Sequence, residues 1–313
     1  MQKKILVIQP LPGIGDLFWF DAALQSLSRF YKAPLTLMTK RQSQAQHIYK
    51  DSPYVKDVLW VDRPGAHGGL MGLVRLASLL KQHHFSEAWI FHKSWRYKWV
   101  CKLAGIKTIR SYPSDKKWLD RHPIDRVHHL LKDHHVPLLK DPKFLVDEDS
   151  KKAVGQKLKA YKKPWVAIGI GGMEPSKKWA AENWEDLAVW LSKSKKMTVF
   201  LLGGPREQEE AQEMVRHIYE KGGEAHALTN FSLHESLAFL DQVVFFVGND
   251  TGMMNGAVVQ NKQTFSLFLS STPLRYRPSL TAICPKAEET TVSVGHVQSV
   301  LSQFYKKRGF HDF

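Results

Sequence analysis

The chain has 313 residues, of which 43% are hydrophobic and 11% aromatic, and its formal net charge is +15. This length predicts about two domains of ordinary size, and the apolar content excludes an intrinsically disordered chain. No apolar run approaches the roughly 20 residues of a membrane-spanning helix. The apolar stretch near the start stops at Gln9 and Pro10 without a cleavage signature, so we expect a cytoplasmic protein.

The residue types that commonly bind metals show no metal-binding pattern. Cys101 and Cys284 are far apart and have no metal or redox spacing, and no H-E-x-x-H or Cys/His set occurs. Asp147, Glu148 and Asp149 formally match D-x-D, a metal-binding pattern of some enzymes. They precede a helical stretch, however, and acidic residues are ordinary at a helix N-terminus. The sequence therefore predicts neither a metal site nor a bound cofactor.

Strands and helices alternate along the first part of the chain, as is typical of parallel β-α-β units. The predicted order is strand 3–8, helix 16–31, strands 35–38 and 58–61 with a helical pattern between them, helix 70–82, strand 88–91, helix 95–104 and strand 106–110. Residues 112–145 are rich in Pro, His and charge and interrupt this alternation. They predict a functional insertion or a long loop.

A second alternating series follows a charged hinge near residues 145–162. It consists of strand 165–170, helix 184–192, strand 197–202, helix 206–221, strand 225–228, helix 233–240, strand 243–247, helix 253–259, strand 264–268 and a last helix at 297–305. We predict an α/β fold of two Rossmann-like, doubly wound parallel-sheet domains, 1–155 and 156–313, that face a central cleft. The last helix is a candidate to pack back on the first domain.

The most informative junction lies at residues 248–252, where an apolar β-rich run ends in Gly-Asn-Asp-Thr-Gly and a helical stretch begins. A helix that starts directly after such a turn presents unpaired backbone N–H groups, which makes its N-terminus a ready phosphate site. Gly252 would let a ligand approach the backbone closely. Asp250 or Thr251 could equally be an ordinary N-cap, and the junction alone leaves both interpretations open.

Glycine-bearing loops follow two other predicted strands, at residues 12–16 and 169–172. Ligands of parallel α/β sheets bind outside the carboxyl ends of the strands, which is where these loops lie. Asp16 begins the first helix at this position and is either a functional carboxylate or an N-cap. Lys177 and Lys178 follow the other loop. They would place a cation beside a phosphate, or they form an exposed lysine pair.

Positive charge is concentrated in one part of the chain. Residues 91–180 hold 21 Lys and Arg against 9 Asp and Glu, a net charge of +12, which leaves +3 for the rest. Such an excess predicts an anionic partner, which is nucleic acid, a phospholipid surface or a phosphorylated substrate. Trp95, Lys98, Trp99 and Lys102 share one arc of a helix. That pattern suits a membrane interface, although tryptophans in the core beside solvated lysines would produce it too.

In their order along the chain, these motifs resemble glycosyltransferase family 9, the ADP-heptose:lipopolysaccharide heptosyltransferases. The resemblance covers nearly the whole chain. The first strand leads into G-x-G-D and a helix, and a mid-chain strand leads into a glycine-containing loop and K-x-W. A strand that ends in L-L-G-G-P and the final V-G-N-D-T-G complete the series. The resemblance implies a GT-B fold whose first domain binds the acceptor and whose second domain binds a nucleotide sugar.

By this resemblance the activity is inverting, metal-independent transfer of heptose from an ADP-heptose-like donor to a hydroxyl of a lipopolysaccharide-core-type acceptor. Asp16 corresponds to the family's catalytic base and Lys177 to its phosphate-binding lysine. The implied donor-binding residues, which include the D-T-G that holds the diphosphate and an acid at the ribose, are Gly15, Gly171, Gly172, Lys177, Glu207, Asp250, Thr251, Gly252 and Asn255.

Two positions depart from the family pattern. Asn255 stands where the family usually has a histidine three residues after the glycine of D-T-G, and Ala22 stands where it usually has proline. An asparagine can form hydrogen bonds but cannot carry a positive charge. The identity of the donor therefore does not follow from the motif order alone.

The implied partners are a nucleotide-sugar donor and an anionic glycolipid acceptor. We expect peripheral association with an anionic membrane at the cytoplasmic face of the inner membrane. The predicted acceptor and membrane contacts are Lys98, Lys102, Lys116 and Lys117. No nucleic acid is expected, since the motifs that read it are missing. One alternative is a family 9 relative that uses another nucleotide sugar or a protein acceptor, and another is a non-catalytic nucleotide-sugar-binding or polyanion-binding protein.

Overall fold

The computed structural model describes residues 3–113, 115, 120–172, 174–287 and 289–307. The chain divides into two compact units, Met1–Leu145 and Val146–Phe313. Each unit is built on its own parallel sheet, which confirms the predicted pair of Rossmann-like α/β sheets. None of the helices in these ranges is long and apolar enough to cross a membrane.

The first unit contains a five-stranded parallel sheet in the order β3-β2-β1-β4-β5. Its strands are β1 Ile5–Ile8, β2 Leu35–Thr39, β3 Val55–Trp60, β4 Glu87–Ile90 and β5 Thr108–Ser111. Its helices are α1 Ile14–Tyr31, α2 Ala45–Ile48, α3 Gly69–His83, α4 Trp95–Leu103 and α5 Pro123–Asp133. The central strands β1 and β4 are wholly buried, as is usual in a sheet covered on both faces.

Helices α3 and α4 pack side by side on one face of this sheet. Their inward side chains form one apolar cluster with β1 and β4; its members include Leu73, Leu76, Ala77 and Leu80 of α3 and Tyr97, Val100 and Cys101 of α4. Burial raises the pKa of the Cys101 thiol to about 12, so this cysteine acts as a small apolar residue of the core. Cys284, in the second unit, is only partly buried.

The predicted loop over residues 112–145 is wrong for Pro123–Asp133, which forms α5. Pro123 lies in the first turn, where a missing N–H leaves no hydrogen bond unmade, and His122 Nδ1 accepts from the backbone N–H of Ile124 at 3.3 Å. The buried side chains have helical spacing: Ile124, Val127, Leu130 and Leu131. The proline and histidines that suggest a loop in the sequence therefore lie at the start of this helix and along it.

The second unit contains a six-stranded parallel sheet in the order β11-β10-β9-β6-β7-β8. Its strands are β6 Trp165–Gly169, β7 Thr198–Leu202, β8 Ala225–Leu228, β9 Phe245–Asn249, β10 Gln263–Leu267 and β11 Leu280–Ile283. Its helices are α6 Glu148–Lys157, α7 Ala181–Ser194, α8 Gln208–Glu220, α9 Leu233–Leu240, α10 Gly252–Val259 and α11 Val294–Lys307. The sequence does not predict β11, a four-residue edge strand with a mixed burial pattern.

Two further expectations about the second unit change with the structure. The sequence suggests that the last helix packs back on the first domain, but its buried side chains Val297, Leu301 and Tyr305 lie in the core of the second unit. The hinge near residues 145–162 contains α6. Asp147 caps this helix by accepting from the Ser150 N–H at 2.8 Å, so the D-x-D residues form a helix N-terminus, as their position in the sequence indicates.

The strand order places one topological switch point in each sheet. In the first sheet the chain leaves β1 on one side toward β2 and returns to the other side as β4, and in the second sheet β6 and β9 have the same relation. Open α/β sheets bind ligands in the crevice beyond the carboxyl ends of the strands at such points. Functional side chains are therefore expected in the loops after β1, β4, β6 and β9.

Candidate functional site

In the first unit, Asp16 lies in the first turn of α1, just beyond the carboxyl end of β1. Its Oδ2 accepts from the backbone N–H of Gly13 at 2.8 Å, the contact of an acidic residue that caps its own helix start. A Cβ at residue 13 would lie 2.8 Å from the same oxygen, so glycine is needed for this approach. Burial raises the pKa of the Asp16 carboxyl and the Gly13 hydrogen bond lowers it, with burial dominant. Raised pKa values are common among catalytic bases.

The same edge of the first sheet is strongly cationic. His92 follows β4, and its pKa is lowered to about 4 by burial and then by Arg126, Lys93, Arg63 and Lys40. Lys40 follows β2 and Arg63 follows β3, so cations from successive strand ends converge near this histidine. A neutral histidine among cations marks a positive potential that would attract an anionic group.

Two buried polar atoms lie in this cationic region. Within the described ranges, Tyr112 Oη and Arg126 Nε are buried without a hydrogen-bond partner. The Arg126 guanidinium lies 5.2 Å from the centre of the Tyr112 ring. Buried donors without partners are costly and uncommon in folded proteins. Both groups therefore lack the hydrogen-bond partner that a buried donor ordinarily has.

In the second unit, Lys177 and Asp250 meet beyond the ends of β6 and β9. Lys177 Nζ lies 3.8 Å from Asp250 Oδ2 and 3.0 Å from Glu174 Oε1. Its neighbour Lys178 points elsewhere and binds Glu210 of α8 at 2.8 Å. Asp250 Oδ2 also accepts from the Ser271 hydroxyl at 2.7 Å. The two adjacent lysines are therefore in different surroundings, and Lys177 is the one beside the D-T-G.

Asn249, which the sequence interpretation omits, fastens the loop that carries Lys177. This fully buried residue ends β9. Its Oδ1 accepts from the Trp179 backbone N–H at 3.0 Å, and its Nδ2 donates to the carbonyls of Ile170 and Gly171, each at 3.2 Å. One amide thus holds both ends of the loop that follows β6. An asparagine between a strand and D-T-G was the available signal.

Replacing Asn249 by alanine is expected to lower the free energy of unfolding by roughly 2–4 kcal/mol, because a buried N–H and two carbonyls lose their partner. Urea unfolding followed by circular dichroism measures this change. Asn230→Ala, at an exposed asparagine of the same unit, is the matched control. An unfolding midpoint for Asn249→Ala equal to that of the control would show that the clamp contributes nothing.

The start of α10 is the best candidate for an anion site in the second unit. Thr251 occupies the N-cap position with an extended backbone, but its side chain makes no capping hydrogen bond. Asp250 is engaged by Ser271 and Lys177 instead. The first N–H groups of α10, from Gly252 onward, are thus left without a side-chain cap, which is the arrangement that binds phosphate at helix N-termini.

Asn255, at the departure from the family histidine, is almost fully buried. Its Oδ1 accepts from the Tyr276 hydroxyl at 2.6 Å, and its Nδ2 donates to the Thr251 carbonyl at 3.3 Å. Asn255 therefore supports the start of α10 and the segment that carries Tyr276. The sequence interpretation also omits Ser271 and Tyr276, because nothing in residues 268–278 matches a motif.

The structure places the remaining donor-binding candidates as follows. Glu207 ends a short 3-10 turn, Pro205–Glu207, after β7, and its Oε2 accepts from the Gly204 N–H at 2.8 Å. A Cβ at Gly171 would lie 3.8 Å from this carboxyl group, so Glu207 adjoins the loop after β6. A Cβ at Gly172 would lie 3.1 Å from Lys178 Cγ. Gly15 lies in the first unit, in the first turn of α1 beside Asp16.

The predicted acceptor and membrane residues divide into two pairs. Lys98 and Lys102 lie on α4, where Lys102 Nζ is 5.2 Å from the centre of the Trp99 ring. Trp95 and Trp99 are at least half exposed, at 63% and 50%, so they are not core residues. Lys116 and Lys117 lie outside the residues that the structure describes.

Metal-ligating side chains do not cluster in the described part of the chain: no group of three or more His, Cys, Asp or Glu residues there could hold a metal ion. The recorded side-chain partners of Asp250 are the Lys177 ammonium and the Ser271 hydroxyl.

Comparison with known proteins agrees with the fold. The glycosyl transferase family 9 protein from Veillonella parvula DSM 2008 aligns over 98% of both chains with a TM-score of 0.79 and 17% identity. E. coli ADP-heptose lps heptosyltransferase II covers 98% of this chain and 99% of its own, with a TM-score of 0.74 and 18% identity. E. coli heptosyltransferase WaaC with ADP-2-deoxy-2-fluoro heptose covers 96% and 99%, with a TM-score of 0.71 and 14% identity.

At these identities the likeness shows the fold, and it confirms the predicted GT-B class. No curated protein sequence matches the chain. The sequence model of glycosyltransferase family 9 (heptosyltransferase) matches residues 77–299, which takes in β4, the whole Lys177 loop and the D-T-G. Because that match spans well over half of the chain, the protein belongs to glycosyltransferase family 9.

Proposed function

We propose that this glycosyltransferase transfers heptose from an ADP-heptose-like donor to a hydroxyl of an anionic, lipopolysaccharide-core-type acceptor, with inversion and without a metal ion. The observation that carries the proposal is the second unit's switch point, where Lys177, Asp250 and the uncapped start of α10 lie together. Two solved E. coli proteins support the choice of donor. One is named ADP-heptose lps heptosyltransferase II, and the other is heptosyltransferase WaaC with ADP-2-deoxy-2-fluoro heptose.

The donor diphosphate is proposed to sit on the start of α10. Backbone N–H groups from Gly252 onward would donate to its oxygens, and the Lys177 ammonium would neutralise the charge that develops on the leaving ADP. Asp250 holds Ser271 and lies near Lys177, so its carboxylate positions these groups. Glu207, next to Gly171, is proposed to accept from a ribose hydroxyl.

Inversion by a single displacement also requires a base for the acceptor hydroxyl, and Asp16 is proposed to be that base. As the acceptor oxygen forms the new bond to the anomeric carbon, its proton passes to Asp16 and the bond to the diphosphate oxygen breaks. Burial keeps the Asp16 carboxylate more basic than an exposed one.

An anionic acceptor is proposed because of the cationic edge of the first unit. Arg126, Lys93, Arg63 and Lys40 all act on His92, and the Tyr112 hydroxyl is buried without a partner in the described ranges. Phosphate or carboxylate groups of a lipopolysaccharide core would satisfy these donors. The location at the cytoplasmic face of the inner membrane and the roles of Lys98, Lys102, Lys116 and Lys117 stay predictions.

The decisive experiment measures ADP or UDP release from a panel of nucleotide sugars in the presence and absence of a delipidated, phosphorylated core oligosaccharide. The proposal is supported if the acceptor stimulates release of ADP from ADP-heptose and stimulates no release from the other nucleotide sugars. Release from another nucleotide sugar points to the alternative family 9 activity. Tight donor binding without turnover for any acceptor would favour a non-catalytic binding protein.

Transfer is expected to continue in excess EDTA, because a lysine and a helix terminus are assigned the role that a divalent ion has in other transferases. The measurement compares initial rates before and after dialysis against the chelator. Complete loss of activity that Mg²⁺ restores would contradict the metal-independent assignment.

Activity is expected to fall on the acidic side as Asp16 becomes protonated. Because burial raises its pKa above the ordinary 3.8, the active carboxylate is present above that raised pKa and is lost as the pH falls through it. A profile of kcat/KM against pH, taken where circular dichroism shows a folded protein, locates this limb. An acidic limb at or below 3.8 would mean that another group limits the rate.

A further inference from the structure

The outward faces of α3 and α4 are unusually apolar. Six of the ten large hydrophobic side chains that are exposed among the described residues lie on these two helices. They are Leu70, Met71 and Val74 on α3 and Trp95, Trp99 and Leu103 on α4, with Leu70 79% exposed. A water-facing helix ordinarily presents charged and polar residues on this side, so the pattern indicates a surface that is covered in use.

The two outward faces adjoin each other. The inward faces of α3 and α4 share one apolar cluster, so the helices lie next to each other. Their N-termini are tied together because the Arg96 guanidinium, in the first turn of α4, donates to the carbonyl of His67 at 2.7 Å, two residues before α3. Leu70, Met71 and Trp95 therefore lie at the same end of the pair. We call the six exposed side chains the docking face.

This end of the helix pair lies at the carboxyl edge of the sheet. Helices α3 and α4 follow β3 and β4, which are parallel to β1, so each begins at the same sheet edge as α1. Asp16 lies in the first turn of α1. A surface that meets the docking face would consequently meet the edge of the unit that carries the proposed base and the cations around His92.

The charge on the two helices has one sign. Neither α3 nor α4 contains Asp or Glu, whereas Arg75, Lys81, Arg96, Lys98 and Lys102 are all basic. Lys102 Nζ lies 5.2 Å from the centre of the Trp99 ring, so a cation and an aromatic ring are presented together. Apolar side chains beside tryptophan and lysine, without acids, fit an anionic bilayer interface. A protein partner carries charges of both signs, so a surface that binds a protein could include some Asp or Glu. Helices α3 and α4 contain none.

We propose that the docking face inserts into the interface of an anionic lipid bilayer. Leu70, Met71, Val74 and Leu103 would enter the acyl boundary, and Trp95 and Trp99 would lie at the level of the head groups. Lys98 and Lys102 would contact lipid phosphates. Bilayer binding would help transfer only if the acceptor is lipid-linked, and that part of the inference rests on the proposed function. Binding of the docking face to a bilayer does not depend on the proposed function.

Vesicle flotation of the full chain, without donor or acceptor, tests the proposal. The vesicles contain phosphatidylglycerol with phosphatidylethanolamine, or phosphatidylcholine alone. We expect the parent to bind the anionic vesicles, and we expect added salt to weaken this binding. Binding of the Leu70→Ser/Met71→Ser/Val74→Ser variant should fall roughly tenfold or more, because three apolar anchors are lost. The matched control is Phe30→Ser/Leu138→Ser/Tyr219→Ser, which removes three exposed apolar side chains elsewhere and should bind like the parent.

The charge arm compares Lys98→Gln/Lys102→Gln with Lys159→Gln/Lys162→Gln at two exposed lysines of the second unit. Only the first pair should weaken binding to anionic vesicles. Thermal melts verify folding, and each variant's ADP release with a delipidated acceptor separates lipid docking from transfer. Absence of vesicle binding by the parent, or equal binding by the α3 variant and its control, would overturn the proposal. So would sedimentation showing that the parent dimerises and the α3 variant does not, which would make a second copy the occupant.

Discussion

Replacing Asp16 by asparagine is expected to reduce transfer by about 10²–10⁴-fold, the usual contribution of a general base. Donor affinity is expected to change little, because the proposed donor groups belong to the second unit. Asparagine keeps an oxygen that can accept from the Gly13 N–H, the bond that Asp16 makes at 2.8 Å. Single-turnover rates and calorimetric titration of ADP measure the two quantities separately.

Asp16→Ala is the companion variant because it removes both the base and the helix contact. The alanine variant should be as inactive as the asparagine variant and also less stable, by about 0.5–2 kcal/mol for a lost cap. If asparagine restores both stability and near-normal turnover, Asp16 is only the residue that caps α1.

Lys177→Ala is expected to weaken donor binding or slow transfer by roughly tenfold to a hundredfold, which corresponds to the 1.5–3 kcal/mol of a charge-assisted contact. Asp250 lies 3.8 Å from this ammonium. Without Lys177 its negative charge would repel the diphosphate, which adds to the loss of affinity. Titration of ADP and of the intact donor, together with kcat, shows whether the ground state or the transition state is affected.

Lys178→Ala is the matched control, since this neighbouring lysine binds Glu210 at 2.8 Å and lies away from the D-T-G. It should leave donor affinity nearly unchanged. Addition of Asp250→Asn to the Lys177→Ala variant should recover part of the affinity by removing the opposing charge. Equal losses in the two lysine variants would mean that the general basic field attracts the donor and that no specific contact is made.

Most of the architecture follows from the periodicity of the sequence. Buried parallel strands such as β6 and β7 have apolar side chains on both faces, which produces the continuous apolar runs that a sequence reveals. The boundary of β9 does not follow from hydrophobicity. Gly248 and Asn249 still pair with β10, although neither is a typical strand residue. The predicted strand 243–247 therefore ends two residues early.

The candidate site could be predicted only where a motif marks it. Glycine loops and D-T-G locate Asp16, Lys177 and Asp250, because backbone geometry at strand ends restricts the residue types. Ser271 and Tyr276 reach the site from a segment after β10 that has no periodicity. Contacts of this kind depend on tertiary structure and leave no local pattern.

The exposed side of α3 shows another limit. The sequence correctly predicts a helix at 70–82, but amphipathic reasoning assigns apolar side chains to the core. Leu73 and Leu76 are buried, whereas Leu70, Met71 and Val74 face outward. Sequence spacing defines two apolar sides on this helix and does not say which of them the protein itself covers.

The hydrogen bonds of the Asn249 amide affect both donor binding and product release. The amide joins the end of β9 to the Ile170 and Gly171 carbonyls and to the Trp179 N–H. Hydrogen bonds within the protein therefore hold both ends of the Lys177 loop at the strand that leads into α10. Preorganisation of this kind lowers the entropic cost of association. The product ADP would then contact the same groups of the proposed donor site as the intact donor does. We therefore expect strong inhibition by ADP and slow product release.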